Sequence, residues 1–127
     1  MRLNHAHVGV TQMERSADFY RRLGLKQIVA DDGYARFELP EGDATFSLHL
    51  LEPGAPAPVA TGAVHFECDD LDDRVRALEA DGFEFSTQPT DMPYLWREAI
   101  LADPDGNLIY LYRAGENRLN PPWRLPD

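Results

Sequence analysis

Four histidines stand between apolar residues in short runs, where they could supply metal ligands or proton donors and acceptors. They are His5, His7, His49 and His65. Because side chains alternate between the two faces of a β-strand, all four are predicted to lie on the face opposite the apolar set. Imidazole binds divalent metals and exchanges protons near neutral pH. The spacing therefore indicates acid–base or metal chemistry on a strand face.

The same alternation places aromatic and charged side chains on the histidine-bearing faces. They are Tyr34, Arg36, Trp96, Glu98, Tyr110 and Tyr112. We predict that His7, Tyr34, Arg36, Trp96 and Tyr112 contact a substrate, and that Glu98 and Tyr110 are candidate catalytic groups. A solvated face of an antiparallel sheet is the alternative interpretation. The aromatic content favours a ligand pocket, because such sites are concave, aromatic and sparsely polar.

The secondary-structure elements that must position these residues occur twice in the chain, in similar sequence patterns. Sliding Val8 onto Phe66, 58 positions later, aligns the two segments without a gap over one helix and its flanks. Each segment is predicted to be a strand, an amphipathic helix ended by a glycine (Gly24 or Gly82), and a further strand. Thr11 and Asp70 are the predicted N-caps.

Three extended runs follow each predicted helix, and turn residues separate them. In the first half they are 26–30, 34–39 and 45–51; in the second they are 84–87, 96–102 and 108–113. Residues 53–62 are rich in proline and glycine and are predicted to be a linker. The sequence thus predicts an α+β fold with two βαβββ modules, residues 1–52 and 63–113, and a tail, residues 114–127.

Composition narrows the classes of function. The chain has 127 residues, the size of a single domain, and a net charge of −10, so nucleic acid and anionic membranes are poor partners. Cys68 is the only cysteine, which excludes an internal disulfide and a thiolate cluster. With no apolar run long enough to span a bilayer, we expect a cytoplasmic protein.

Several motifs resemble those of the vicinal oxygen chelate family, which includes glyoxalases, bleomycin-resistance proteins and dioxygenases. The family's opening motif is similar to His5-Ala-His-Val-Gly-Val, followed here by Asp18-Phe19-Tyr20 and Leu23-Gly24-Leu25. The family's last hairpin is similar to Asp103-Pro104-Asp105-Gly106-Asn107-Leu108-Ile109-Tyr110-Leu111. The resemblance covers residues 1 to about 115. It implies a U-shaped, mostly antiparallel sheet around a cavity, with the helices on the outer face.

The resemblance also implies a divalent metal held by up to four side chains. His5 falls on the first ligand position, and His49 falls where the family often has glutamate. The sequence departs from the pattern at the other two positions, which hold Ala63 and Tyr110. A displaced site of zinc, iron or manganese would use His5, His49 and His65, with His7 and Glu98 as further donors.

Two functions of different classes remain open at this level. The first is a metal-dependent lyase, isomerase or dioxygenase acting on a small oxygen-rich or aromatic molecule. The second is a protein of the bleomycin-resistance type that sequesters an aromatic small molecule without a metal. In either case the resemblance implies a homodimer, because many family members complete each cavity with two chains.

Overall fold

The computed structural model describes residue 1, residues 3–56 and residues 62–127. The first half contains β1 (His5–Val10), α1 (Met13–Leu23), β2 (Lys26–Ala30), β3 (Tyr34–Glu38) and β4 (Thr45–Leu50). The second half contains β5 (Ala63–Glu67), α2 (Leu71–Ala80), β6 (Phe85–Asp91), β7 (Arg97–Ala102), β8 (Leu108–Arg113) and a 3-10 helix (Gly115–Arg118). The predicted α+β class and the βαβββ order of each module are confirmed.

The chain divides into two compact units. The first comprises Met1–Thr61 with Asp103–Asn107, and the second comprises Gly62–Ala102 with Leu108–Asp127. The turn between β7 and β8 therefore groups with the first unit. The predicted division into modules at residues 1–52 and 63–113, and a single domain over the whole chain, stay predictions. Within the predicted linker, residues 57–61 lie outside the described residues.

In the first unit, one helix covers one face of a mixed sheet. The strand order is β1-β4-β3-β2, with β1 parallel to β4 and the other two pairings antiparallel. Helix α1 buries Ser16, Ala17, Tyr20 and Leu23, which recur at helical spacing. It ends at Gly24, whose φ of 117° is the left-handed conformation that glycine adopts without steric cost.

The core of the first unit is aromatic. The Tyr20 ring lies 6.1 Å from the Phe37 ring and 4.8 Å from the Phe46 ring, centroid to centroid. All three side chains are buried against the helix-facing side of the sheet. The other side of the same strands is left to polar residues, as the alternation predicts.

The second unit repeats this arrangement with aliphatic packing. Its strand order is β5-β8-β7-β6, with β5 parallel to β8. Helix α2 buries Leu71, Val75 and Leu78. The buried strand residues beneath it are Phe66, Ala99, Leu101, Ile109 and Leu111. Neither described helix is long and apolar enough to cross a bilayer.

Two local predictions need correction. Thr11 is not the N-cap of α1, because Gln12 takes that position and the Thr11 hydroxyl donates to Asp105 instead. Strand β6 extends to Asp91, and a register shift between Thr87 and Thr90 in its pairing with β7 spans Pro89.

Candidate functional site

An aromatic cluster covers one face of the sheet in the second unit, the face opposite to the one that packs against α2. His65 on β5 pairs with Tyr110 on β8, and their rings stack with a centroid distance of 4.4 Å. Beside them the Trp96 and Tyr112 rings stack at 4.7 Å. His65 joins the two stacks, because its ring meets the Tyr112 ring edge-on at 5.6 Å. The structure therefore brings four of the predicted site residues into one cluster.

A buried carboxylate belongs to this aromatic cluster. Glu98 is only 4% exposed and pairs with Tyr112 across β7 and β8. The Tyr94 hydroxyl donates to Glu98 Oε1 at 2.5 Å. This hydrogen bond, with burial and the charge of Glu98, raises the pKa of Tyr94 to about 12. Because Tyr94 stays protonated at neutral pH, it satisfies one oxygen of the carboxylate.

An open groove of about 620 Å³ lies next to the aromatic cluster, wholly within the second unit. It is lined by Asp91, Met92, Leu95, Trp96, Arg97, Arg113, Ala114, Gly115, Glu116 and Asn117. Arg97 donates to Asp72 at 2.8 Å and to Asp91 at 3.1 Å, so its charge is already paired. Trp96 belongs to both the groove and the aromatic cluster.

The strand face of the first unit carries a hydrogen-bonded network centred on His5. His5 Nδ1 lies 2.6 Å from Thr45 Oγ1, and His5 Nε2 lies 2.8 Å from Ser47 Oγ. Both nitrogens of the imidazole are therefore engaged by hydroxyl groups. Ser47 itself is fully buried.

Tyr34 and Arg36 lie on the same face, on β3. Arg36 Nε donates to the Tyr34 hydroxyl at 2.9 Å. Hydrogen bonds from Ser47 and Arg36 lower the pKa of Tyr34, although Asp31 and partial burial oppose them.

A second pair of histidines meets on this face. The His7 and His49 rings pack edge to face with their centroids 5.0 Å apart. Gly9 lies next to this pair, and a Cβ at that position would lie 2.7 Å from Leu51 Cδ2 and 3.4 Å from His49 Nε2. His7, and not His5, is therefore the neighbour of His49.

The described residues do not fit the predicted metal centre. Zinc, iron and manganese sites normally use three or more protein ligands, and no group of three His, Cys, Asp or Glu side chains in the described ranges could hold a metal ion. His5 pairs with Thr45 and His49 with Gly9. Their backbones are therefore about 13 Å apart along the strands. The engaged nitrogens of His5 and the stacked ring of His65 give the predicted ligands no further support.

Sequence reasoning missed three polar contributors. Ser47 and Thr45 follow the strand alternation, but only the parallel pairing of β1 with β4 shows that they flank His5. Tyr94 lies in the turn before β7, where no periodicity identifies its direction. Its position four residues before Glu98 is the one signal available in the sequence.

Comparisons with known proteins agree with this fold. An anthracycline biosynthesis protein, DnrV, of Streptomyces peucetius is 27% identical over 124 residues, covering 85% of this chain and 45% of that protein. The chain thus spans less than half of this relative's length.

Two solved structures are also similar. A glyoxalase/bleomycin resistance protein/dioxygenase from Nocardioides has a TM-score of 0.78 at 22% identity, covering 99% of this chain and 90% of that one. A bleomycin-binding protein complexed with bleomycin has a TM-score of 0.71 at 22% identity, covering 89% and 98%. The model of the Glyoxalase/Bleomycin resistance protein/Dioxygenase superfamily matches residues 2–111. The chain belongs to this superfamily.

Proposed function

We propose that the protein binds an aromatic small molecule in the groove of the second unit, without a metal. The observation that carries the proposal is the double role of Trp96, which stacks on Tyr112 and also lines the groove of about 620 Å³. Ligand pockets typically have volumes of about 300–1,000 Å³ and combine apolar walls with a few polar groups. Trp96, Met92 and Leu95 supply the apolar wall.

The polar groups of the groove limit the ligand. Arg97 is already paired with Asp72 and Asp91, which leaves Arg113, Glu116 and Asn117 to contact polar substituents at the open side. A planar ring against Trp96 would gain about 0.5–1.5 kcal/mol beyond its buried area. The ligand is therefore a planar aromatic molecule with polar substituents.

The superfamily relatives favour this class of ligand. The Streptomyces peucetius relative takes its name from anthracycline biosynthesis, and a similar solved protein holds bleomycin. A metal-dependent lyase, isomerase or dioxygenase is the competing function. It requires a ligand set that the described residues do not assemble.

The protein is proposed to act as a cytoplasmic homodimer. The single cysteine, Cys68, is free, which suits a reducing compartment. Among the described residues, β1 and β2 form the edges of the first sheet and β5 and β6 those of the second, and Ile28 on β2 is 45% exposed. Sedimentation at micromolar concentration tests the dimer, and a 14.4 kDa species alone would contradict it.

Fluorescence titration with daunorubicin and with bleomycin tests the binding function. We expect saturable binding by the wild type and an affinity about tenfold lower or worse for Trp96→Ala. Trp123→Ala is the matched control, because Trp123 is exposed and does not line the groove. Binding of neither probe, or equal losses in both variants, would refute the assignment to this groove.

A further inference from the structure

We propose that the groove of the second unit selects an aromatic carboxylic acid, whose anionic group is bound by Arg113 while its ring system lies against Trp96. This ligand class rests on the proposed binding function and narrows it. Both residues line the same groove of about 620 Å³. A carboxylate suits Arg113, because a guanidinium can donate two parallel hydrogen bonds to the two carboxylate oxygens.

Arg113 and Arg97 are partners across β7 and β8. Like charges that lie directly opposite each other destabilise an antiparallel strand pair, so this pairing calls for counter-ions. Arg97 has them. Its Nε and Nη2 donate to the Asp72 carboxylate at 3.1 Å and 2.8 Å, and its Nη1 donates to Asp91 at 3.1 Å. Arg97 thus holds both neighbouring carboxylates and leaves Arg113 without a counter-ion.

The guanidinium of Arg113 is free to bind a ligand. Among the described residues, Arg113 forms neither an ion pair nor a side-chain hydrogen bond, and it is exposed. The hydrogen bond from Arg97 is the main cause of the lowered pKa of Asp72, and the charge of Arg113 adds to it from a longer distance. An anion from solution can therefore contact Arg113 without first breaking an ion pair of the protein.

The groove joins an aromatic wall to a positive charge. Tyr112 and Arg113 are consecutive on β8, so their side chains project from opposite faces of the sheet. Trp96 stacks on Tyr112 and lies on the aromatic side. Because Trp96 and Arg113 both line the groove, it crosses the ends of β7 and β8. A ligand that fills it meets a ring at one end and a guanidinium at the other.

The turn before β7 holds a strained residue at this groove. Leu95 has a φ of 66°, in the left-handed region that a bulky side chain rarely adopts. Its N–H donates to Met92 O at 2.9 Å, and the Met92 N–H donates to Trp96 O at 2.7 Å. Backbone strain of this kind clusters at ligand sites, where the surrounding structure maintains it. Leu95 lines the groove beside Trp96, which supports a binding role for this wall.

The remaining charges make a preference for an acid diagnostic of a local contact. Glu116 also lines the groove and repels an anion, so the acid group must lie away from it. The net charge of −10 repels anions at long range as well. General electrostatic attraction therefore cannot draw an acid to this protein. Tighter binding of an acid than of its neutral analogue has to come from a cation within the groove.

Isothermal titration calorimetry with two planar probes tests the proposal. Anthraquinone-2-carboxylate and anthraquinone-2-carboxamide share one ring system and differ in charge. We expect the wild type to bind the acid about tenfold more tightly than the amide, because hydrogen bonds to charged groups are the stronger ones. Arg113→Gln should lower the affinity for the acid to that for the amide and leave the amide unchanged. Retained binding of the amide shows that the variant is folded with its groove intact.

Two further variants separate the contact from other effects. Arg76→Gln removes the same charge from the exposed side of α2, where Arg76 pairs with Asp73 outside the groove, and should keep the preference for the acid. Trp96→Ala removes the stacking wall. It should weaken both probes about tenfold and also keep the preference.

The outcomes distinguish the acid selection from the binding function itself. Equal affinity of the wild type for the two probes would overturn the selection and leave the binding function standing. Equal losses for both probes in Arg113→Gln, or loss of the preference in Arg76→Gln, would overturn the role of Arg113. Binding of neither probe would refute the proposed function, and the selection of an acid with it.

Discussion

The carboxylate of Asp105 accepts a hydrogen bond from the backbone N–H of Thr11 at 3.1 Å, across 94 residues of sequence. The same carboxylate accepts from the Thr11 hydroxyl, from Ser16 Oγ at 3.3 Å and from Arg15 at 3.2 Å. The turn between β7 and β8 thus satisfies donors at the start of α1, which lacks a capping side chain of its own.

Asp105→Asn should lower the free energy of unfolding by about 1–2 kcal/mol, because the amide loses the charge-assisted bonds from Thr11 and Arg15. Chemical denaturation monitored by circular dichroism measures the change. Asp127→Asn is the matched control, since Asp127 is exposed and its ion pair with Arg124 lies within the C-terminal tail. If Asp105→Asn has the same stability as this control, the cap does not contribute.

The same contacts predict the acid sensitivity of the fold. Burial alone would raise the pKa of Asp105, but the hydrogen bonds from Thr11 and the charge of Arg15 outweigh it and lower the pKa. A carboxyl group with a lowered folded pKa contributes stability that is present above its unfolded pKa, about 3.9, and lost as the pH falls through the folded value. We expect the free energy of unfolding of Asp105→Asn to fall less below pH 4 than that of the wild type. Unfolding curves measured from pH 7 to pH 2 would contradict this expectation if the free energies of the two proteins fell in parallel.

The sequence predicted the modules because their strands and helices repeat with clear periods. It did not predict the Asp105 cap, because a turn motif does not reveal which distant helix it contacts. The resemblance likewise assigned His5 and His49 to one site by position. The register places His5 beside Thr45 and His49 beside Gly9, so strand pairing separates what the motif joins.

The strand face that carries the aromatic cluster shows a second limit of prediction from sequence. Alternation placed His65, Trp96, Tyr110 and Tyr112 on one face, and the structure stacks their rings there. The partner of Glu98 was missed, because Tyr94 reaches it from an irregular turn. Polar contacts from turns depend on backbone geometry that hydrophobic periodicity does not encode.

Gly9→Ala should destabilise the first unit by about 1–3 kcal/mol, because the new Cβ would lie 2.7 Å from Leu51 Cδ2. It should also shift the His49 ring signals, since the His49 ring lies over the same position. Gly33→Ala is the control, because a Cβ there meets nothing within 4 Å. Thermal unfolding and NMR of the histidine rings measure both effects, and equal melting temperatures for the two variants would contradict the close approach.

Transition metals should not stabilise the fold. Zinc, ferrous iron or manganese at a tenfold excess should leave the melting temperature within about 1 °C of the metal-free value, because only a ligand that binds the folded state in preference to the unfolded state stabilises the fold. His5→Gln should respond in the same way as the wild type. Protein without a histidine tag is required for the measurement. A rise with one metal that His5→Gln abolishes would restore the metal centre that the resemblance implies.

Glu98→Gln should lower the pH at which Tyr94 ionises. The hydrogen bond to Glu98, burial and the charge of Glu98 raise the pKa of Tyr94 from 10.0 to about 12. A group with a raised folded pKa contributes stability that is fully present below its unfolded pKa, about 10, and lost as the pH rises to about 12. In Glu98→Gln the amide still accepts the phenol hydrogen, but the negative charge that opposes ionisation of Tyr94 is gone.

Ultraviolet absorbance of tyrosinate measures the ionisation of Tyr94. The difference in absorbance between each protein and its Tyr94→Phe counterpart isolates this residue. Glu116→Gln, in the same groove, is the control that should keep the wild-type midpoint. A midpoint that is the same in Glu98→Gln and in this control would show that Glu98 does not govern Tyr94.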